Sequence, residues 1–170
     1  MIGQFWLFVN VKQAARFGHV GWGFQLEDET FMFGATDHLY RHHEMDLAAW
    51  IDYMSVAPGE HTDWWCGFGT REKMLEAMTD SREHIWYHKA KGVKVANCDP
   101  RAARKAAEFS QHCGWSVLSN NCVQQTWEIV RAYGADRVIP NPWDNAFNLI
   151  PRVWFKSFEG ETVELNPNSR

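Results

Sequence analysis

The stretch VLSNNCVQQTWEIVRAYGA, residues 117–135, carries the start, the apolar stripe and the end of an amphipathic helix. Asn120 or Asn121 supplies the N-cap, because asparagine side chains accept hydrogen bonds from first-turn N–H groups. Gly134 fits the left-handed residue that commonly ends a helix. Three apolar residues share one face at i, i+4 and i+7, namely Val123, Trp127 and Val130. Cys122 therefore falls at the first or second helical position.

The predicted position of Cys122 favours a reactive thiolate. The first turn of a helix has unpaired N–H groups and the positive end of the helix dipole, and both stabilise a thiolate relative to a thiol. The same N–H groups can hold the oxyanion that forms when a thiolate attacks a carbonyl. We therefore predict a nucleophile whose own N–H is an oxyanion donor, helped by Asn120 or Asn121.

Among the eight histidines, His19 is the candidate general base. It begins a predicted strand in RFGHVGWGF, residues 16–24, where it is surrounded by three glycines: Gly18, Gly21 and Gly23. Glycines in a strand often mark the close approach of another backbone or of a ligand. Trp22 lies in the same strand and is assigned to substrate binding.

These two motifs resemble a known family. GHVGWGF followed by a hairpin, and VLSNNCVQQTWEIV preceded by a helix, are similar to the circularly permuted NlpC-type papain-like fold. That group includes lecithin:retinol acyltransferase-like enzymes and bacterial thiol hydrolases, and the resemblance covers the element order of about residues 5–135. It implies an α+β fold with an antiparallel sheet against helices, in which Cys122 is the nucleophile and His19 the base.

The family also places a third polar residue on the strand after the histidine, to orient the imidazole. If the hairpin turns at Asp28, His19 faces Asp37 across the strands, and Asp37 is the predicted orienter. Thr36 and His38 are substitutes for it. A Cys–His dyad without a third residue is also open.

The remaining elements follow from local patterns. The predicted strands are residues 5–11, the hairpin strands 19–26 and 30–36, residues 84–97, and a last hairpin within 148–165. The predicted helices are 46–54, 71–78 behind Thr70, and one that begins at Pro100 behind Asp99. The last of these has the apolar stripe Ala102, Ala106, Phe109 and Cys113, and residues 57–69 are predicted to be a loop.

Composition excludes several classes of protein. Residues 1–170 are expected to form one domain, with a net charge of −4 and no Lys/Arg block, so no nucleic-acid partner is predicted. No apolar run approaches the ~20 residues of a membrane span, and no leader pattern is seen. The four cysteines form no CxxC pair, which favours reduced thiols and a cytoplasmic location.

A metal centre is the weaker interpretation of the histidines. His38 with His42, and His84 with His88, are spaced four apart, as zinc-binding pairs on helices are. Neither pair contains the internal glutamate of a zincin, and we predict neither a metal nor another cofactor.

The sequence therefore predicts a thiol-dependent hydrolase of the amidase or peptidase kind that acts through a thioester. Its partner is a peptide, amide or acyl substrate. Two alternatives stay open: a lipid acyltransferase or phospholipase of the same fold, and a non-catalytic module in which tryptophans line a ligand groove.

Overall fold

The computed structural model describes residues 1–12, 18–37, 55–59, 63–79, 86–116 and 120–166, and these residues form an α+β fold. Its strands are β1 Ile2–Asn10, β2 His19–Gln25, β3 Phe31–Asp37, β4 Ser55–Val56, β5 Asp63–Gly69, β6 Lys89–Ala96, β7 Trp115–Ser116 and β8 Glu161–Glu164. Its α-helices are α1 Arg71–Ala77, α2 Pro100–Ser110, α3 Cys122–Tyr133 and α4 Pro151–Lys156. The predicted helix 46–54 lies outside the described residues.

Six strands form one antiparallel sheet in the order β5-β3-β2-β1-β6-β8, and β4 pairs with β7. The predicted hairpin of β2 and β3 is confirmed in its register. Trp22 pairs with Gly34 and Gln25 with Phe31, which is the pairing expected of a turn centred on Asp28. The sheet therefore fixes which side chains of β2 share a face.

The two faces of the sheet carry separate apolar cores. On the face that we call the helix face, Val20, Trp22 and Phe24 pack in one core with residues of α2 and α3. On the opposite face, called the Tyr87 face, the core contains Phe8, Phe33, Tyr87 and residues of α1. Alternation along each strand sends successive side chains to opposite cores.

The predicted helix ends are confirmed where the caps mark them. Thr70 caps α1, and Asp99 caps α2 by accepting from Ala102 N–H. Asn121 caps α3, and Gly134 ends that helix at φ 83°. The structure contains no helix in its described part that is long and apolar enough to cross a membrane.

The loop predicted for residues 57–69 is wrong in its second half, because Asp63–Gly69 forms strand β5 at the sheet edge. Two glycines made this segment resemble a loop. In the sheet, however, Trp64 and Cys66 pack toward the helix-face core, and Trp65 packs with Phe33 on the other face. Successive side chains of this segment therefore go to opposite faces of the sheet, as in any strand.

Two further predictions are corrected. The buried residues of α2 are Pro100, Ala103, Ala107 and Ser110, one position on from the predicted stripe. Phe109, predicted to be buried, is 69% exposed. The predicted hairpin in the tail is instead 3-10 turns, then α4 beginning at Pro151, and a short β8 that pairs with β6.

Lys91 holds the end of α4 and the residues just after it against the sheet. Its buried ammonium donates to the carbonyl oxygens of Phe155 and Phe158 at 2.6 and 2.7 Å, and lies over both rings. Burial lowers the pKa of Lys91, and nearby Glu159 opposes that change. The tail is thus fixed by a buried cation, which the apolar pattern of the sequence did not indicate.

Candidate functional site

Cys122 is the first residue of α3, as the sequence predicts, and its position is fixed by a reciprocal cap. The Asn121 side-chain oxygen accepts from the N–H groups of Val123 and Gln124 at 3.0 and 3.2 Å. The Gln124 side-chain oxygen in turn accepts from Asn121 N–H at 2.7 Å. This is a capping box, which satisfies several of the N–H groups that a helix start leaves unpaired.

The Cys122 thiol lies within the helix-face core and is free of disulfide bonding. Its residue is 6% exposed and shares that core with Val20 and Trp22 of β2. Within the described residues, the N–H of Cys122 has no hydrogen-bond acceptor, unlike the two N–H groups that follow it.

His19 begins β2 but turns its ring to the Tyr87 face. The imidazole stacks on the Tyr87 ring, with centroids 6.0 Å apart and 29° between the planes. Gly21, two residues on, has its open side against Met78 and Tyr87. Gly21 therefore admits side chains from this second core. Gly18, at φ 97°, instead lies against the backbone carbonyl of Asn10, the close backbone approach that the sequence interpretation expected.

Cys122 and His19 lie on opposite faces of the sheet. The Tyr133 hydroxyl, in the last residue of α3, donates to the carbonyl of Gln25 at the end of β2. The sheet separates the Cys122 thiol from the His19 ring, and no hydrogen bond joins the two among the described contacts.

The predicted orienter Asp37 is the last residue of β3, where its backbone pairs with Asp63 of β5. The described ladder between β2 and β3 ends at Trp22 and Gly34, three residues before His19 and Asp37. The Asp37 side chain lies outside the described part of the structure, and its orienting role stays a prediction.

The other predicted site residues have structural partners. Asn120 donates its side-chain N–H groups to the carbonyls of Cys113 and Gly114, at 2.8 and 3.3 Å. Asn121 uses its side-chain oxygen for the cap. Trp22 is 1% exposed and stacks on Phe24 in the helix-face core, so it lines no open groove in this arrangement.

Of the two predicted histidine pairs, His38, His42 and His84 lie outside the described residues, and only His88 lies within them. The Nδ1 of His88 accepts the Val11 N–H at 3.4 Å. Burial, together with the charge of Lys12, lowers the pKa of His88. The described residues contain no cluster of three or more His, Cys, Asp or Glu side chains placed to hold a metal.

The other three thiols have environments that distinguish them from Cys122. Burial raises the pKa of Cys66, with a further contribution from Glu108, and burial also raises the pKa of Cys113. Cys98 is buried in the helix-face core, and its thiol donates weakly to the Met1 carbonyl at 3.7 Å. None of these three is in a helix.

The sequence interpretation missed Gln124, whose side-chain oxygen completes the cap at the start of α3. The signal was present, because a capping residue followed three positions later by Glu or Gln is the pattern of a capping box. Here the pattern is Asn121 and Gln124 within NCVQ. Gln125 has a separate role, since its amide donates to the carbonyls of Gly114 and Asn120 and holds the chain ahead of the helix.

Comparison with known proteins gives no match to a protein-family model, a curated protein or a solved structure. The arrangement of helices and strands itself defines the class of protein, which is α+β with a six-stranded antiparallel sheet and a capped helix that begins at a cysteine.

Proposed function

We propose that this chain is a thiol-dependent acyl hydrolase in which Cys122 is the nucleophile. The observation that carries the proposal is the start of α3, where the thiol belongs to the first helical residue and the N–H of the same residue has no acceptor in the part of the chain that the structure describes. A helix start of this kind stabilises a thiolate and can also receive a developing oxyanion.

The proposed reaction has two steps. The Cys122 thiolate attacks the carbonyl carbon of an ester, thioester or amide, a C–S bond forms, and the carbonyl π electrons move to oxygen. The oxyanion is held by the Cys122 N–H. Its collapse breaks the bond between the carbonyl carbon and the alcohol, thiol or amine, and this leaving group takes from solvent a proton equivalent to the one that the Cys122 thiol released. Water then adds to the thioester and releases the acid and the free thiol. Transfer to a lipid acceptor in place of water would give the acyltransferase alternative.

Alkylation of the four thiols tests the nucleophile. We expect Cys122 to react with iodoacetamide at least about tenfold faster than each other cysteine at neutral pH, since a thiolate is the reacting form. Cys66 and Cys113 should accelerate only at higher pH, because their raised pKa values keep them protonated. Time-resolved peptide mass spectrometry measures all four rates in one sample.

Cys98 is the internal control for burial, because it lies in the same core as Cys122 but outside any helix. Equal rates at Cys98 and Cys122, or a faster reaction at another thiol, would contradict the proposed nucleophile.

A second candidate function is a non-catalytic ligand-binding module. The separation of the His19 ring and the Cys122 thiol by the sheet favours it. A cavity of about 660 Å³ between α2 and α3 offers a place for a ligand, with Phe109, Cys113 and Gln125 among its lining residues. Cys122 does not line this cavity, so binding there would not need the thiol.

Substitution of His19 by glutamine tests whether the histidine acts on the thiol. Because the ring packs on Tyr87, we expect His19→Gln to lower the free energy of unfolding by about 1 kcal/mol while the Cys122 alkylation rate stays within about threefold. The measurements are urea unfolding and the pH profile of alkylation. A fall in acyl hydrolysis of about 10²-fold or more would instead identify His19 as the base, acting from another orientation.

A further inference from the structure

The start of α3 contains a second hydrogen-bond donor that has no acceptor. Gln124 is 7% exposed, and its side-chain nitrogen is buried without a hydrogen-bond partner among the described residues. A buried amide N–H₂ without an acceptor costs free energy, so such groups are rare and often serve a ligand.

The orientation of the Gln124 amide follows from its own cap. Its oxygen must be the atom that faces Asn121 N–H, because only the oxygen can accept that hydrogen bond. The cap therefore holds the amide nitrogen against the N-terminal end of α3, beside the backbone that leads into Cys122. The two donors without acceptors, Cys122 N–H and Gln124 N–H₂, lie at the same helix end.

We propose that these two donors form one oxyanion site, with Gln124 as the side-chain donor and Cys122 N–H as the backbone donor. This inference rests on the proposed function, since it assigns the group that receives the carbonyl oxygen of the acyl substrate. Two preorganised donors in a buried site stabilise a developing oxyanion more strongly than water does. The assignment replaces Asn120, whose amide hydrogens are held by the carbonyls of Cys113 and Gly114.

Two variants of Gln124 separate the donor from the cap. Gln124→Glu keeps an acceptor for Asn121 N–H, as glutamate does in many capping boxes, but has no N–H₂ group. Gln124→Met has a similar length without a donor, an acceptor or a charge. We expect both variants to retain Cys122 alkylation, with the glutamate variant slower because its charge opposes a thiolate.

The decisive quantity is a ratio of two rates at the same thiol. Acylation by p-nitrophenyl acetate forms an oxyanion, whereas alkylation by iodoacetamide displaces iodide at a CH₂ group and forms none. We expect the ratio of acylation to alkylation to fall by about 10²-fold in both variants, the usual effect of removing one oxyanion donor. Taking the ratio cancels any change in thiolate content.

The outcomes distinguish this inference from the proposed function. An unchanged ratio in both variants, with Cys122 still the fastest thiol, would overturn the role of Gln124 and leave the nucleophile standing. A wild-type Cys122 that is neither alkylated preferentially nor acylated would overturn both. If Gln124→Glu fails to fold by circular dichroism, an unchanged ratio in Gln124→Met still overturns the role of Gln124, because that variant also lacks the donor.

Discussion

Gly34→Ala is expected to lower the free energy of unfolding by roughly 3 kcal/mol or more. A methyl group at this position would overlap the carbonyl oxygen of Trp65 and lie 3.0 Å from the Cα of Cys66. Both atoms belong to the backbone of β5, so neither can move unless the strand separates from β3. The midpoint of thermal unfolding should fall by roughly 6–12 °C, measured by circular dichroism.

Gly67→Ala is the matched control, because it also adds one methyl group to a glycine of the sheet. Its methyl would meet the ring of Phe33 at 2.6 Å, a side chain that can rotate or shift. We therefore expect a smaller loss of stability, about 1 to 2 kcal/mol. Equal losses in the two variants would show that β5 moves as readily as one side chain and that the edge of the sheet is not rigid.

The sequence predicted the structure best where a few neighbouring residues decide it, as they do at helix caps and at the hairpin turn. Asp99 with Pro100 marked the start of α2, and Asn121 with Gly134 marked both ends of α3, because capping depends on a few neighbouring residues. The hairpin register followed from the turn at Asp28 for the same reason. The end of α2 was placed wrongly, since the helix stops at Ser110, before the Cys113 of the predicted stripe.

Predictions that depended on a distant partner were less successful. β5 is a strand because β3 pairs with it. The space that a side chain at Gly67 would fill is taken by the ring of Phe33. The α2 stripe was displaced by one position because alanines occupy both faces of that helix, so composition alone does not orient it. In each case the deciding contact lies far away in sequence.

The arrangement of Cys122 and His19 also depends on contacts between residues that are distant in sequence. Alternation along β2 groups His19 with Gly21 on one face and Val20 with Trp22 on the other, but it does not say which face receives α3. In the structure α3 packs on the aromatic face, and Tyr87 occupies the face with the glycines. The place of Cys122 at a helix start was predictable from local capping, whereas its position relative to His19 depended on which face of the sheet the helix packs against.

Cys122→Ser is expected to reduce acylation by p-nitrophenyl acetate on the order of 10³-fold or more. A serine hydroxyl at the same helix start is a far weaker nucleophile than a thiolate, so the acyl-enzyme should not accumulate. A loss of that size corresponds to about 4 kcal/mol of transition-state stabilisation. Intact-protein mass spectrometry should show one acetyl adduct on the wild-type chain and none on the variant.

Cys98→Ser separates lost chemistry from lost packing. Cys98 and Cys122 are 8% and 6% exposed in the same core, so placing a hydroxyl at either position carries a similar cost in stability, about 1 to 3 kcal/mol. Because the Cys98 thiol lies in no helix, its variant should keep the acetyl adduct. If both variants lose the adduct equally, the loss comes from the core and the binding module becomes the better description of this chain. If only Cys122→Ser loses it, the start of α3 is a catalytic centre even though the His19 ring lies on the far side of the sheet.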